Sequence, residues 1–417
     1  MELTRLRGFQ DLLGASVRAV SMVEESARRL ARRYALNEIR IPILERLELY
    51  QRSSGETSDI VEKQMYIVRG HDSGPDKGDM ALRPEGTPGV VRAYIEAGLD
   101  RSDPEQRFFY HGPMLRHERP QKGRYRQFYQ FGVELFGRAD AAADAELIFM
   151  LDDLRRALAL EAAFQINSLG CPKCRPAFRE ALLKFGHDHL DQLCEDCHQR
   201  LERNPLRILD CKIDARLTES APRSLDFLCD ECRAHFAMVR ELLANAGVPY
   251  EVNPRLVRGL DYYTRTTFEL VSGAVGAQSA VAAGGRYDGL VEQLGGAAVA
   301  GTGFAIGIER IALAIDAQKI ASANPDAAVI ALGENAFRHA VKITQALRQS
   351  DLRVELLPPE RPLKALLRRA GRLGARHAVI LGDNEIARGI VQLRDLNAST
   401  QREVGESELA KMIAARD

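Results

Sequence analysis

The sequence of 417 residues contains no tryptophan, no excess of either charge and no long apolar run. The missing tryptophan by itself excludes nothing. Because 58 basic and 58 acidic residues leave a net charge of zero, no overall field attracts nucleic acid, and any such contact must use a local basic patch. No apolar run approaches the roughly 18 residues of a membrane span, and the first residues, MELTRLRGFQDLLG, lack the apolar stretch of an export signal. We therefore expect a cytoplasmic protein with no membrane partner.

The length and the pattern of elements predict two domains. With 45% apolar residues, the chain can bury the cores of two or three domains. Residues 317–326 form a linker of small residues. Before it, strand-like and helical stretches follow one another irregularly, whereas strands and helices alternate after it. We predict an α+β domain over residues 1–320 and a small α/β domain over residues 326–417.

A cysteine-rich stretch interrupts the first domain. From Gly170 onward the residue composition changes. Residues 171–250 have a helical pattern, are rich in charged residues and contain all seven cysteines. We predict that they form an insertion, after which the parent fold resumes. Six cysteines form three Cys-x-x-Cys pairs. In a chain without an export signal, this pattern favours a metal or free thiols over disulfides.

The first two cysteine pairs have the spacing of a structural zinc site. Nineteen residues separate them, which fits the roughly 15–20 residues typical of a four-thiolate site. Four thiolates leave no open position, so a catalytic zinc is not expected. The candidate ligands are Cys171, Cys174, Cys194 and Cys197.

The other cysteines do not complete a second site of thiolates alone. Cys229 and Cys232 form the third pair, and Cys211 is single. A second site would need a histidine, such as His198 or His235. The alternative is that all seven cysteines are reduced thiols without a metal.

The most informative stretch is a predicted β-hairpin. Residues 107–116 and 126–136 are rich in aromatic and β-branched side chains, which favours strands. The loop between them, residues 117–125, contains two arginines and a lysine. Because a planar guanidinium matches phosphate oxygens, arginines at the mouth of a hairpin form a candidate phosphate site. A surface hairpin with a solvated charged tip is the alternative.

Four other motifs accompany this hairpin in a fixed order. They are RPEGT at 83–87, LVRGLDYYT at 256–264, AGGRYDGL at 283–290 and GFAIGIER at 303–310. Together with the hairpin they resemble the histidyl-tRNA synthetase family, which belongs to the class II aminoacyl-tRNA synthetases. The resemblance runs from RGFQD at Arg7 to the C-terminus, with Phe9 where the family more often has threonine. LVRGLDYY and GGRYDGL are its histidine-specific signatures.

The resemblance implies a fold and a reaction. The catalytic domain is expected to be an antiparallel sheet flanked by helices. L-histidine would attack the α-phosphate of ATP and release pyrophosphate, and the adenylate would then be transferred to the 3′ end of histidine tRNA. Mg²⁺ would accompany ATP, because the triphosphate needs a hard cation. Residues 33–42 would form the interface of a homodimer.

The ATP site implied by the resemblance has arginines on both sides of the reacting phosphate. Arg116 corresponds to the family's arginine on the α-phosphate, and Arg258 to one on the opposite side; both are the predicted catalytic residues. Phe128 and Arg310 would stack on the two faces of adenine. Arg124 would reach the β- or γ-phosphate, with a solvated loop charge as its alternative.

The histidine site implied by the resemblance is polar. Carboxylate and carbonyl oxygens would bind the ammonium group, and Glu134 and Tyr263 would hold the imidazole. A site built to hydrogen-bond a ring N–H rejects analogues that lack it, because its own polar groups would be left unpaired. Core packing is the alternative for Tyr287, and an ion pair with Asp261 for Arg258. The full set is Glu85, Thr87, Gln130, Glu134, Arg258, Tyr262, Tyr263 and Tyr287.

The second domain contains a candidate tRNA-binding helix. Residues 361–376 include six basic residues and no acidic one, and Lys364, Arg368 and Arg372 share a helix face at i, i+4 spacing. A basic stripe on a neutral chain is typical of contact with a phosphate backbone, although a solvated face is the usual meaning of such a run. The domain resembles the anticodon-binding domain of several class II synthetases, which favours tRNA. The hairpin loop and the insertion would contact the acceptor end and arm.

Two other functions remain as alternatives. The regulatory subunit of ATP phosphoribosyltransferase resembles this catalytic fold but does not charge tRNA, and it typically lacks the second domain and signature residues that this chain keeps. A synthetase for another amino acid is opposed by LVRGLDYY and GGRYDGL. A charging assay across amino acids distinguishes all three.

Overall fold

The computed structural model describes residues 3–54, 60–70, 78–276, 280–316, 324–359 and 361–415. The chain forms two compact units, Met1–Ile320 and Ala321–Asp417. Most of the linker predicted at 317–326 lies outside the described residues.

The first unit contains eleven strands and ten α-helices among its described residues. The strands are β1 (Asn37–Glu38), β2 (Leu44–Arg46), β3 (Tyr66–Val68), β4 (Met80–Leu82), β5 (Arg107–Leu115), β6 (Gln127–Phe136), β7 (Ala163–Ser168), β8 (Tyr250–Val252), β9 (Thr264–Val271), β10 (Ala280–Arg286) and β11 (Gly301–Gly307). The helices are α1 (Ala15–Arg33), α2 (Leu47–Ser54), α3 (Thr87–Glu96), α4 (Leu99–Ser102), α5 (Ala141–Ala157), α6 (Arg175–Asp188), α7 (Glu195–Arg203), α8 (Asp230–Asn245), α9 (Leu290–Gln293) and α10 (Ile308–Ala314).

An eight-stranded sheet in the order β1-β5-β6-β11-β10-β9-β7-β8 organises this unit. Its inner pairs are antiparallel, which confirms the predicted α+β class. The two outermost pairs, β1–β5 and β7–β8, are parallel. Parallel neighbours need a long connection, and a helical segment lies between the strands of each pair. The helical lobe that joins β7 to β8 contains α6, α7 and α8.

Strand β6 separates two cores because its side chains alternate between the faces of the sheet. Phe131, Val133 and Leu135 are buried in a core with α1, α5 and α8. Phe136 on the opposite face is buried with Tyr110, Tyr262, Tyr263 and Tyr287. Burial of a large apolar side chain stabilises the fold by about 1.5–3 kcal/mol. The second face therefore combines a packed aromatic wall with the polar residues of β6.

The second unit is the predicted small α/β domain. Its elements are β12 (Ala327–Ala331), α11 (Glu334–Gln349), β13 (Val354–Leu356), α12 (Leu363–Arg372), β14 (His377–Leu381), α13 (Asp383–Arg388), β15 (Ile390–Asp395), β16 (Gln401–Gly405) and α14 (Leu409–Ala414). Its sheet has the order β13-β12-β14-β15-β16, in which β12 pairs parallel with β13 and β14 and the remaining pairs are antiparallel.

Helix α12 has the two faces that its sequence predicts. Leu366 and Ala370 are buried against the sheet, while Lys364, Arg368 and Arg372 are exposed. Within the described part of the chain, none of these three basic side chains forms an ion pair. Across both units, no described helix has the length and apolarity needed to cross a membrane.

Candidate active site

The hairpin β5–β6 brings its basic mouth against the RPEGT turn. Arg116, directly after β5, is half-buried and donates its Nε–H to the carbonyl oxygen of Pro84 at 2.8 Å. Its guanidinium carbon lies 5.3 Å from the centre of the Phe128 ring, a cation–π distance. Burial lowers the pKa of Arg116, and the nearby carboxylates of Glu85 and Glu118 oppose that shift. The site therefore contains a desolvated cation that an anionic ligand would stabilise.

Two further predicted arginines lie near the hairpin mouth. Arg124 forms an ion pair with Glu118 at 3.2 Å. Burial, followed by the charges of Arg124 and Arg116, lowers the pKa of Arg310 at the start of α10. We call Arg116, Arg124 and Arg310 the arginine rim. Because its members repel one another, the rim is complementary to a polyanion.

Glu134 is the centre of a buried hydrogen-bonded group on β6. Its Oε1 accepts from the Thr87 hydroxyl at 2.6 Å, and its Oε2 accepts from the Tyr287 hydroxyl. Glu134 is 1% exposed, and burial raises its pKa to about 8 against the effect of these two hydrogen bonds. Opposite it, a Cβ on Gly303 would lie 1.9 Å from Oε2. Only glycine at 303 leaves room for this carboxylate.

Glu85 is a second buried carboxylate in this pocket. The Tyr262 hydroxyl donates to Glu85 Oε2 at 2.9 Å, and the Tyr262 and Tyr263 rings lie 4.7 Å apart. Gln130 Oε1 is buried and, within the described chain, has no hydrogen-bond partner. A small polar ligand would supply the missing donor.

Arg258 does not form the ion pair with Asp261 that was its structural alternative. Its NH1 pairs with Glu269 on β9, and its guanidinium carbon lies 5.5 Å from the centre of the Tyr263 ring. Asp261 instead accepts a hydrogen bond from Asn204 Nδ2 at 2.7 Å. Sequence reasoning missed Glu269, because it lies inside an ordinary strand and outside every motif.

We call the buried group of Glu85 and Glu134, with Thr87, Tyr262 and Tyr287, the carboxylate pocket. It adjoins the arginine rim. The Glu85 carboxylate accepts a hydrogen bond from Tyr262, and its charge opposes the lowering of the Arg116 pKa. Glu269 forms an ion pair with Arg258, and its charge also opposes the lowering of the Arg310 pKa. One site thus combines cations on one side with buried carboxylates on the other, as a triphosphate beside an ammonium group requires.

The hairpin loop borders a cavity of about 650 Å³. Its basic lining residues Arg119 and Arg124 come from the loop, but Lys63 comes from a segment that sequence reasoning did not single out. The lining is mainly polar. The other lining residues are Gln64, His117, Glu118, Pro120 and Gln121.

Two motif residues have structural partners. Arg286 is fully buried and pairs with Asp144 at 2.6 Å and Asp288 at 2.9 Å, which ties the AGGRYDGL segment to α5. Glu309 accepts the backbone N–H of Tyr129 at 2.9 Å, and burial raises its pKa to about 7. These contacts hold the strands that present Phe128 and Glu134.

The predicted grouping of Cys171, Cys174, Cys194 and Cys197 in one site is wrong. The two pairs belong to different groups, since folding of the lobe brings distant residues to each of them. The Cys171 group consists of Cys171, Cys174, Cys229 and Cys232. The Cys194 group consists of Cys194, Cys197, Cys211 and Asp214.

The two histidines considered as ligands have other partners. His198 contacts the Leu190 carbonyl oxygen at 2.7 Å, and His235 contacts Asp144 at 2.7 Å. Asp214 completes the second group instead. The third Cys-x-x-Cys pair was a visible signal for the first group, whereas nothing in the sequence marks Asp214.

A mainly antiparallel sheet, an arginine-lined hairpin and a separate α/β unit define a class II aminoacyl-tRNA synthetase. Residues 8–311 match the family described as Histidyl-tRNA synthetase, and residues 326–416 match the Anticodon binding domain. The chain belongs to the histidyl-tRNA synthetase family. It is an enzyme that activates histidine with ATP and charges histidine tRNA.

Relatives match the chain over its whole length. The histidine–tRNA ligase of Trichlorobacter lovleyi is 48% identical over 420 residues, which cover 100% of this chain and 98% of the relative. That of Geobacter sulfurreducens is 49% identical over 407 residues, which cover 96% of this chain and 97% of the relative. The crystal structure of apo histidyl-tRNA synthetase from S. aureus has a TM-score of 0.80 at 33% identity, covering 99% of this chain and 100% of the other.

Proposed function

We propose that this chain performs its family's two-step reaction with the arginine rim, Arg258 and the carboxylate pocket. Arg116 and Arg258 hold the α-phosphate of ATP from two sides and stabilise the charge that builds on it during attack. The histidine carboxylate is the nucleophile, and pyrophosphate leaves toward Arg124. Supporting this orientation, Arg124 lies in the hairpin loop, beside the cavity of about 650 Å³.

The nucleotide base occupies the space beside Phe128. Phe128 provides one aromatic face, and Arg310 approaches from the end of β11. A guanidinium already stacks on this ring at 5.3 Å, which supports its use as a stacking surface.

The histidine substrate binds in the carboxylate pocket. Glu134 accepts a ring N–H and Tyr263 contacts the imidazole, while Arg258 contacts the histidine substrate beside the reacting phosphate. Glu85, Thr87 and Gln130 hold the ammonium group. The observation that supports this assignment most strongly is the buried Glu134 carboxylate, which Thr87 and Tyr287 orient and whose charge burial disfavours. The remaining residues of the set, Tyr262 and Tyr287, line the pocket.

Mg²⁺ accompanies ATP in this proposal. The carboxylates of Glu118 and Glu269 lie beside the arginine rim and Arg258, so oxygen ligands are available for a hard cation. These carboxylates would help to hold the cation, which would supply positive charge beside the leaving pyrophosphate.

The tRNA contacts the exposed basic face of α12 and the hairpin loop. Lys364, Arg368 and Arg372 are unpaired within the described residues, so their charges are available to a phosphate backbone. The lobe of residues 171–250 covers the acceptor arm. We also propose a cytoplasmic location, which the seven free cysteines support because reduced thiols persist in reducing compartments.

We propose a homodimer whose interface extends from residues 33–42 to a small antiparallel sheet, in which β2, β4 and β3 follow one another. Ile43 and Leu44 are 46% and 38% exposed, and Ile67 and Val68 on β3 are 54% and 38% exposed. Leu44 and Val68 lie on one face of this sheet, Ile67 lies on the other, and Ile43 directly precedes β2. Large apolar side chains exposed this close together favour an interaction surface over open solvent.

Replacing Glu134 tests the histidine assignment. We expect Glu134→Ala to abolish histidine-dependent ATP–pyrophosphate exchange, because the imidazole N–H would lose its buried acceptor. Tyr287→Phe removes one hydrogen bond to the same carboxylate and should raise KM for histidine while leaving KM for ATP nearly unchanged. Exposed Glu292→Ala is the matched control. Near-normal exchange by Glu134→Ala would contradict the assignment.

A further inference from the structure

The two cysteine groups of the lobe have the geometry of single-ion sites. In each group the four ligand atoms all lie within 4.8 Å of one another. The Sγ atoms of Cys171 and Cys174 are 3.7 Å apart, and those of Cys194 and Cys211 are also 3.7 Å apart. Two thiolates at about 2.3 Å from a tetrahedral ion are about 3.8 Å apart, whereas a disulfide requires about 2.05 Å. All seven cysteines are free.

Backbone donors support the ligand atoms of both groups. The N–H of Cys229 donates to Cys174 Sγ at 3.1 Å, and the N–H of Cys194 donates to the two Asp214 oxygens at 3.1 and 3.2 Å. Such hydrogen bonds stabilise anionic ligands. Cys171, Cys174, Cys197, Cys211, Cys232 and Asp214 are buried, so an ion would be shielded from solvent.

We propose that each group binds one structural Zn²⁺, the first through four thiolates and the second through three thiolates and the Asp214 carboxylate. Zinc accepts both sulfur and oxygen ligands in a tetrahedral arrangement, while softer Cu(I) would not favour Asp214. Four protein ligands leave no position for a substrate, so neither ion is catalytic.

The first ion joins the two ends of the lobe. Cys171 and Cys174 directly precede α6, near the end of β7, while Cys229 and Cys232 lie at the start of α8, which leads back to β8. The second ion joins the start of α7 to the segment at 211–214. These cross-links add to the apolar core of the lobe, in which Phe178, Leu182 and Leu201 are buried.

Both ions stabilise elements that contact the segment around Arg258. Arg175, directly after Cys174, donates to the carbonyl oxygens of Asp261 and Tyr263. Asn204, at the end of α7, donates to the Asp261 carboxylate at 2.7 Å. Loss of metal is therefore expected to raise KM for histidine more than KM for ATP. This consequence rests on the proposed histidine site, whereas the number of bound ions does not.

Element analysis of the full chain, purified without chelator from zinc-containing medium, tests the proposal. We expect two Zn²⁺ per chain, released stepwise when a mercurial titrates the thiols in the presence of a zinc indicator. The cobalt-substituted wild-type protein should show the absorption of tetrahedral Co²⁺ with thiolate charge transfer. Fewer than two ions per chain, or an octahedral cobalt spectrum, would overturn the proposal.

Single substitutions separate the two sites. Cys232→Ser and Asp214→Ala should each reduce the content from two ions to one, whereas Asp214→Cys should restore the second ion. His198→Ala is the matched control, with two ions expected. If Asp214→Ala retained two ions, Asp214 would not be a ligand of the second ion. If a variant that has lost an ion kept the wild-type KM for histidine, the proposed link between the metal sites and the histidine site would be refuted, but the two metal sites would not.

Discussion

Glu134 is a carboxyl group whose surroundings disfavour its charge. Burial raises its pKa to about 8, from a value of 4.5 in an exposed chain, and Glu85 adds to the effect. The folded state therefore binds a proton at pH values where the unfolded chain has released it. A histidine ring N–H in the proposed site would favour the ionised carboxylate. Substrate binding would therefore offset the cost of burying the Glu134 charge.

The pH dependence of stability follows from this shift. Because the folded-state pKa is raised, the stabilising contribution of Glu134 is complete below pH 4.5 and is lost as pH rises through about 8. Within that window the loss is at most about 1.4 kcal/mol per pH unit. We expect Glu134→Gln, which cannot titrate, to remove this slope in urea unfolding measured from pH 5 to 9.

Exposed Glu292→Gln is the control for that experiment, and its unfolding curves should follow the wild type at every pH. If Glu134→Gln and the wild type differed by the same free energy throughout, Glu134 would not be protonated in the folded protein.

Among the elements, α12 is the one whose function depends on a single face. Its apolar stripe is buried, and its exposed side contains Lys364, Arg368 and Arg372. Arg369 has a partner, Glu355 at 3.6 Å, which removes it from the set available to tRNA. The helix therefore separates a packing role from an electrostatic one.

Charge reversal on α12 should affect tRNA alone. We expect Arg368→Glu with Arg372→Glu to raise KM for tRNA at physiological salt and to reduce the salt dependence of binding by about one unit of slope per lost phosphate contact. ATP–pyrophosphate exchange should be unchanged, because it needs no tRNA.

Arg338→Glu on α11 is the matched control, since Arg338 is exposed and already paired with Glu334. An unchanged KM for tRNA in the double variant would show that α12 does not contact tRNA.

At the scale of the whole molecule, the exposed apolar residues on the small sheet of β2, β3 and β4 lead to a prediction about assembly. We expect Leu44→Glu combined with Val68→Glu, on the same face of the sheet, to convert the proposed dimer into monomers, because two carboxylates would be desolvated at the interface. Sedimentation at several concentrations measures the change. Met238→Glu, at an equally exposed apolar residue on α8, should remain dimeric. A wild-type protein that sediments as a monomer would contradict the proposed interface.

The sequence by itself determined the elements and the family. The basic stripe predicted the exposed face of α12, aromatic content predicted the hairpin, and five motifs in order indicated the family. Local patterns suffice for these conclusions because helix faces and strands repeat over a few residues.

Only the tertiary structure decided which distant residues meet. It joined Cys171 and Cys174 to Cys229 and Cys232 instead of to the nearer pair, added Asp214 to the second group, and gave Arg258 the partner Glu269. Sequence spacing cannot determine such choices, because the path of the lobe between β7 and β8 depends on how its helices pack. A ligand set that spans 62 residues, from Cys171 to Cys232, is fixed by packing, not by local sequence.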